Sequence, residues 1–248
     1  MSPHIEYSTS TDMLKLAIRK LIGESAWYFL GKARREYRYG KNSFHGDPAI
    51  FAAIKDYIPA TGIYCDIGAH DGRSMSNTYY LESIGWKGVL VEPVPWKYFD
   101  ILRLRSAVNY AVNAASVSFE KHGLPILIQY GDSMSIAPEI STIDEKEWSE
   151  GAKQFMHSDE TEVRFWIKGL SLTSILDKSG MGTNIDFLSI DVEGSELGVL
   201  EGIDFNKYRF QVIAVETYNV TRIQNYLESK MYRVINNVSN NLIAIPSP

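Results

Sequence analysis

The chain has a single cysteine, Cys65, among 248 residues. One thiol excludes a disulfide framework and a cysteine-rich zinc site. Basic side chains are in slight deficit. The 25 Lys and Arg stand against 30 Asp and Glu, a formal charge of −5. That balance argues against a general nucleic-acid binder, which carries a basic excess. Long apolar runs are also missing. The most apolar early stretch, 14–30, is broken by Lys15, Arg19, Lys20 and Glu24 and does not read as a membrane span. The first ten residues lack a basic segment leading into an apolar one, so no signal peptide is read there. A cytoplasmic protein is the expectation, and the lone thiol agrees with it. Internal repeats and low-complexity tracts are absent.

What is present fits a globular chain. A 45% hydrophobic and 22% charged composition excludes wholesale disorder. The length allows one large domain, or one domain with additions, and a core that needs no staples. Charge is unevenly spread. Residues 1–41 hold eight basic and four acidic side chains, and the stretch 139–162 holds eight acids against Lys146 and Lys153. The acidic stretch reads as a solvated insertion, partly helical near 143–155. The basic leader reads as an amphipathic helix over 12–38, either packed beside the main domain or docked, through residues 12–41, on an acidic glycan or an anionic membrane surface.

Periodicity changes along the chain. Residues 48–58 predict a helix, with Asp47 as N-cap and Pro48 in the first helical position. From Ile63 onward short β-rich runs alternate with helical ones. Strands are predicted at Ile63–Ile67, Gly88–Val91 and Ala107–Val112, with helices at 74–84 and Pro95–Leu104 between them. This alternation indicates a parallel sheet with crossover helices. Further strands are predicted at Ser116–Phe119, Ile126–Tyr130, Val163–Lys168, Phe187–Ile190 and Val212–Val215. A closing hairpin, Tyr232–Ile235 with Leu242–Ile245, fits an antiparallel edge.

Two constellations carry chemistry. The first is the turn from Asp66 through Gly68, Ala69, His70 and Asp71 to Gly72, which follows a predicted strand. Its glycines let the backbone turn tightly and approach a ligand closely. A dinucleotide fingerprint would place glycine at position 66. A carboxylate there repels a pyrophosphate but accepts hydrogen bonds from an ammonium group. S-adenosylmethionine has such an ammonium and no phosphate. Twenty residues past Gly72 the next strand ends in Glu92-Pro93, and an acid at that tip is placed to hold ribose hydroxyls. The second constellation is Ile190-Asp191-Val192-Glu193-Gly194, with Glu216 at the tip of the following strand. These carboxylates can act as a general base toward a hydroxyl acceptor. Asp191 and Glu216 can instead bind a hard cation such as Mg2+. A plainer reading is that one of them caps the helix after Gly194. His70 is a candidate binding residue, while His45 and His157 read as surface or packed histidines.

Together these segments resemble the FkbM family of S-adenosylmethionine-dependent methyltransferases. The resemblance is carried by DIGAHDG (66–72), SNTYYLESIGWKGVLVEP (76–93), NYAVNAASVSF (109–119), SLTSIL (171–176), FLSIDVEGSELGVLEG (187–202) and, more weakly, VIAVET (212–217), and it covers roughly residues 43–245. It implies a class I methyltransferase Rossmann-like fold: an α/β fold with a seven-stranded, mostly parallel sheet and an antiparallel edge strand. The methyltransferase domain would occupy 43–248, preceded by an N-terminal helical extension at 1–42. It implies O-methylation of a hydroxyl on a sugar of a glycan or glycosylated natural product. Asp66, Gly68, Ala69, His70 and Gly72 would line the methionine part of the cofactor, Glu92 and Pro93 the ribose, and Ala111 or Asn113 the adenine. Asp191, Glu193 and Glu216 would face the acceptor. The chain departs from the family's frequent pattern at His70, where asparagine is common, at Ser189, where lysine is common, and at Asp47, where glutamine is common. Two other readings remain open on the residues: a nicotinamide-dependent oxidoreductase, which Asp66 opposes, and a non-catalytic nucleoside-binding protein, which the intact acids oppose.

Overall fold

The computed structural model describes residues 46–131, 134–152 and 162–248. The helix expected over 12–38, with the extension at 1–42, lies outside them, as do residues 153–161 of the acidic stretch. The described chain opens with α1 (Pro48–Ile54), whose N-cap is Asp47: its carboxylate accepts from Ala49 N at 2.8 Å. The helix ends at Ile54, earlier than its apolar pattern suggested.

Three strands follow, β1 (Ile63–Ile67), β2 (Lys87–Val91) and β3 (Tyr110–Val112), separated by α2 (Tyr79–Ser83) and α3 (Pro95–Leu104). Later come β4 (Ala115–Val117), β5 (Pro125–Gly131), β6 (Met134–Ile136), α4 (Glu145–Ala152) and β7 (Val163–Ser171). The chain closes with α5 (Leu172–Ser179), β8 (Asn184–Ile190), α6 (Glu196–Glu201), β9 (Arg209–Glu216), α7 (Val220–Ser229), β10 (Tyr232–Val238) and β11 (Asn241–Pro246).

The result is a mixed α/β fold around a seven-stranded sheet of order β10-β11-β9-β8-β1-β2-β3. Strands β1, β2, β3, β8 and β9 pair in parallel. Their apolar runs are buried because helices cover both faces, as parallel sheets require. Alternation along β1 sends Cys65 and Ile67 into one core with Leu188, Ile190 and Val199, and Tyr64 into the other with Leu81, Leu90 and Phe187.

The antiparallel strand is not at the edge. β11 sits one place in, antiparallel to both β9 and β10, and β10 forms the rim. Leu242, Ile243 and Ala244 are all buried, so β11 needs neighbours on each side, whereas β10 exposes Arg233, Asn236 and Asn237 and suits an edge. Ser239 and Asn240 make the turn with φ of 48° and 62°, the left-handed pair that a two-residue hairpin uses.

A second sheet was not anticipated. It has the order β4-β7-β5-β6, with β4 parallel to β7 and the other pairs antiparallel. The acidic stretch is not wholly solvated either. Within α4, Trp148 is 3% exposed and packs on Ile136 of β6, so the helix is pinned to the second sheet. Among the described residues no helix is long and apolar enough to cross a membrane.

Candidate active site

The tips of β1, β2, β8 and β9 converge on one side of the sheet, and a cavity of about 730 Å³ opens there. That lies within the roughly 300–1,000 Å³ usual for small-molecule sites. The second sheet supplies a facing wall through Ile128, Tyr130, Ile136 and Ala137.

The β1 turn is built by close approach. Gly68 has φ 83°, and a Cβ on it would lie 1.8 Å from the carbonyl oxygen of Asp191. Only glycine lets the tips of β1 and β8 sit so near. The turn then spends its N–H groups inside the protein. Gly68 N and Ala69 N both donate to Val91 O, at 3.0 and 3.1 Å, and His70 N donates to Glu92 Oε2 at 2.8 Å. Three successive amides that would cradle a phosphate are therefore turned toward β2.

Asp66 is 5% exposed. Its Oδ2 accepts from Thr78 Oγ1 at 2.6 Å and from Ser76 Oγ at 3.3 Å, which leaves Oδ1 for the cavity. Burial pushes its carboxyl upward, against the pull of Thr78, Arg105 and Ser76. Arg105, buried at the end of α3, is the source of that support. It donates to Gly72 O at 2.7 Å, Thr78 Oγ1 at 3.1 Å, Tyr64 OH at 2.6 Å and Glu82 Oε2 at 2.5 Å. A relay thus runs from the guanidinium through Thr78 to Asp66, and a second arm clamps the far end of the turn. Nothing in the local sequence signals this. Arg103 and Arg105 at a helix end read simply as complements to the helix dipole.

Glu92 is 3% exposed, and both its oxygens are held, by His70 N and by Val94 N at 2.9 Å. Burial pushes its carboxyl up to about 8, against those two amides. Pro93 lines the cavity beside it. Gly72, Ala111 and Asn113 stand away from the cavity wall. Gly72 packs on Ile101 and Arg105. Asn113 Nδ2 donates to the carbonyls of Glu92 and Pro93 at 2.8 and 3.0 Å and so fixes the β2 turn from behind. In the place expected for Ala111 and Asn113 the wall is made by Ala114, Ala115 and Ser116. The hydroxyl of Ser116 is buried and has no hydrogen-bond partner among the described residues.

The β8 tip carries the second group of acids. Glu193 has φ 50° and Gly194 φ 91°, so the chain reverses sharply before α6. The turn is covered by the segment after β6: Ser141 Oγ donates to Glu193 O at 2.8 Å and Thr142 N to Gly194 O at 2.9 Å. Glu196 accepts from Gly194 N at 2.6 Å and so fixes the turn just ahead of α6. No side chain among the described residues caps the start of α6, and Asp191 and Glu193 both face the cavity with Glu216. Asp191 is open to that space yet ringed by protein, and its carboxyl is pushed well up by burial, then by Glu216 and Glu193. Burial, Glu216 and Glu196 raise Glu193 to about 7. Glu216 is raised by burial, partly countered by Asn241. Among the described residues no three His, Cys, Asp or Glu side chains form a metal-binding group. Asp191 and Glu216, the pair expected to bind Mg2+, both line the cavity.

His70 lines the cavity, but its ring nitrogens make no hydrogen bond among the described residues, and Nδ1 stands 3.7 Å from Asp71. Ser195 was not anticipated. It is 4% exposed, lines the cavity and has an unpartnered hydroxyl. Like Ser116, it can be recognised only once neighbours are known, since serine after glycine is commonplace in turns.

Fold and site together define an α/β protein with an acid-lined cavity at parallel strand tips. The chain belongs to the FkbM methyltransferase family: the methyltransferase FkbM domain matches residues 66–235, more than half of it. A crystal structure of methyltransferase FkbM from Methylobacillus flagellatus KT is similar, with 13% identity and a TM-score of 0.46. The similarity covers 75% of this chain and 44% of that one, so this chain spans less than half of that protein's length. No curated protein matches the sequence.

Proposed function

We propose that the protein is an S-adenosylmethionine-dependent O-methyltransferase acting on a sugar hydroxyl of a glycan or glycosylated natural product. The strand order, 3-2-1-8-9-11-10 with only β11 reversed, is the arrangement expected of a class I methyltransferase. The observation that carries the cofactor assignment is the direction of the β1 amides. With Gly68, Ala69 and His70 donating to β2, the turn offers a buried carboxylate and no anion cradle. A nicotinamide dinucleotide needs the opposite. Asp66 Oδ1 suits the ammonium of the methionine moiety, Glu92 the ribose hydroxyls, and the unpartnered Ser116 hydroxyl a nitrogen of the adenine.

Bound there, S-adenosylmethionine supplies an electrophilic methyl group. The chain's own part is to hold the acceptor hydroxyl and take its proton. Asp191 and Glu193 are placed for that, and their raised carboxyls make them better bases than ordinary ones. Glu216 sustains this by repelling a second charge.

Thermal shifts with S-adenosylhomocysteine, S-adenosylmethionine and NAD test the cofactor. A ligand at ~100 times its dissociation constant adds about 2.7 kcal/mol, so a shift with the adenosyl ligands and none with NAD is expected. A shift with NAD alone would falsify the reading. Asp191→Asn and Glu193→Gln test the base. Loss of ~100-fold or more in turnover with cofactor affinity retained is expected. Wild-type turnover in both variants removes them from the chemistry.

A further inference from the structure

Resting on that methyltransferase reading, we propose that the acceptor end of the cavity takes a cationic acceptor, a sugar bearing a free amine. Asp47 and Glu216 receive its ammonium group, and Asp191 or Glu193 its hydroxyl.

The cavity's charge inventory points there. Six carboxylates line it, those of Asp47, Asp66, Glu92, Asp191, Glu193 and Glu216, and no Lys or Arg does among the described residues. Asp66 and Glu92 lie at the β1 and β2 tips and are accounted for by the cofactor. Four remain around the β8 and β9 tips and the start of α1. None of the four forms an ion pair among the described residues. Asp47 and Glu216 are close enough for the charge of Asp47 to raise the Glu216 carboxyl. The group is thus electrostatically incomplete, because like charges share one cavity wall with no cation among the described residues to offset them.

A neutral polyol can donate hydrogen bonds to these acids but leaves their repulsion in place. An anionic sugar adds to it. An ammonium group offsets it and donates three hydrogen bonds as well. A second, independent feature marks the same end as a ligand site. The Ser195 hydroxyl, beside the β8 turn, is buried, lines the cavity and has no partner among the described residues. Buried polar atoms left unpaired by the protein point to a polar group brought by the ligand.

Asp47 allows a clean test. One of its oxygens, Oδ1, already caps α1 through Ala49 N. Asparagine caps a helix as well as aspartate does, so Asp47→Asn removes charge while keeping the fold. The full chain saturated with S-adenosylhomocysteine is titrated calorimetrically with glucosamine, N-acetylglucosamine and glucuronate at low salt. Glucosamine is expected to bind at least tenfold tighter than N-acetylglucosamine, and glucuronate weakest. Asp47→Asn is expected to cut the amine preference at least threefold with S-adenosylhomocysteine affinity unchanged. Equal binding of amine and N-acetyl sugar, no binding of glucosamine, preference for glucuronate, or an unaltered preference in Asp47→Asn would each overturn the proposal. Failure of S-adenosylhomocysteine itself to bind would instead sink the methyltransferase reading beneath it, so the two failures are separable.

Discussion

Replacing Arg105 with methionine isolates the buried guanidinium beneath the turn after β1. The side chain of Arg105 is 1% exposed and that of Glu82 14%. Methionine fills similar volume but removes every donor, so Glu82, Tyr64 OH, Thr78 Oγ1 and the Gly72 carbonyl lose their shared partner. It also removes the cation stacked 5.2 Å from the Tyr64 ring. Breaking a buried ion pair from one side costs about 3–5 kcal/mol. Glu82 is near enough to solvent to recover some hydration, which favours the lower half of that range. For a domain of this size each kcal/mol moves the midpoint by roughly 2–4 °C, so a fall of roughly 6–16 °C is expected. The assay is urea and thermal unfolding of Arg105→Met, Glu82→Leu and the double variant. Because the pair is one unit, the double variant should lose clearly less than the two single losses combined. The functional consequence travels through Thr78: Asp66 loses a fixed partner, and S-adenosylhomocysteine affinity should fall about tenfold, which is about 1.4 kcal/mol. A loss below about 1 kcal/mol for Arg105→Met, or strict additivity with Glu82→Leu, refutes the reasoning.

Gly68→Ala should abolish S-adenosylhomocysteine binding while circular dichroism keeps its native form. The new Cβ meets Asp191 O at 1.8 Å in a left-handed residue, so the β1 and β8 tips must part. Retained affinity would show the tips to be pliable. Ser116→Ala should leave the ligand-free protein as stable or more so, because the hydroxyl has no partner to lose, yet weaken S-adenosylhomocysteine several-fold by calorimetry. Stability should also depend on pH. Glu92 and Glu193 are raised to about 8 and about 7, so the folded form holds protons that the unfolded chain has released. Ligand-free stability therefore falls as pH climbs from the ordinary carboxylate range to about 8. Urea titrations at pH 5 to 8 read this slope, and Glu92→Gln should flatten it. The pH profile of kcat/KM should run the other way, rising through about 7 if Glu193 is the base, and a flat profile would exclude it.

Much of the fold was legible because it is local. Pro95 in the first turn and Ile101 on the apolar face mark α3 at its observed bounds. Strands β1, β2, β8 and β9 show as apolar runs because both their faces are buried. The second sheet was not legible. β6 is three residues long, too short for a periodic signal; β4, β5 and β7 read as strands, but the pairing of Ala115 with Gly169 joins distant parts of the chain. β11 looks like any apolar strand until its neighbours show that it must lie inside the edge. At the site the acids were found from strand-tip position alone, since a carboxylate beside a glycine turn is a local pattern. The wall from Ala114 to Ser116 was placed one turn too early, because strand β3 ends at Val112 and Asn113 turns back to brace Glu92.

By itself the sequence determined the alternation of strands and helices from Ile63 to Val112, most of the later strands, the glycine turn after Asp66, and the acids that end β1, β2, β8 and β9. These rest on chain-local physics: side-chain periodicity, backbone freedom at glycine, and the poor fit of a carboxylate to a phosphate. Tertiary structure decided the rest. It turned the β1 amides toward β2, buried Arg105 under the turn, folded the second sheet over the cavity, and gathered four acids without a cation among the described residues. Each of these depends on which distant groups share a low-dielectric space, and no local pattern of residues carries that information.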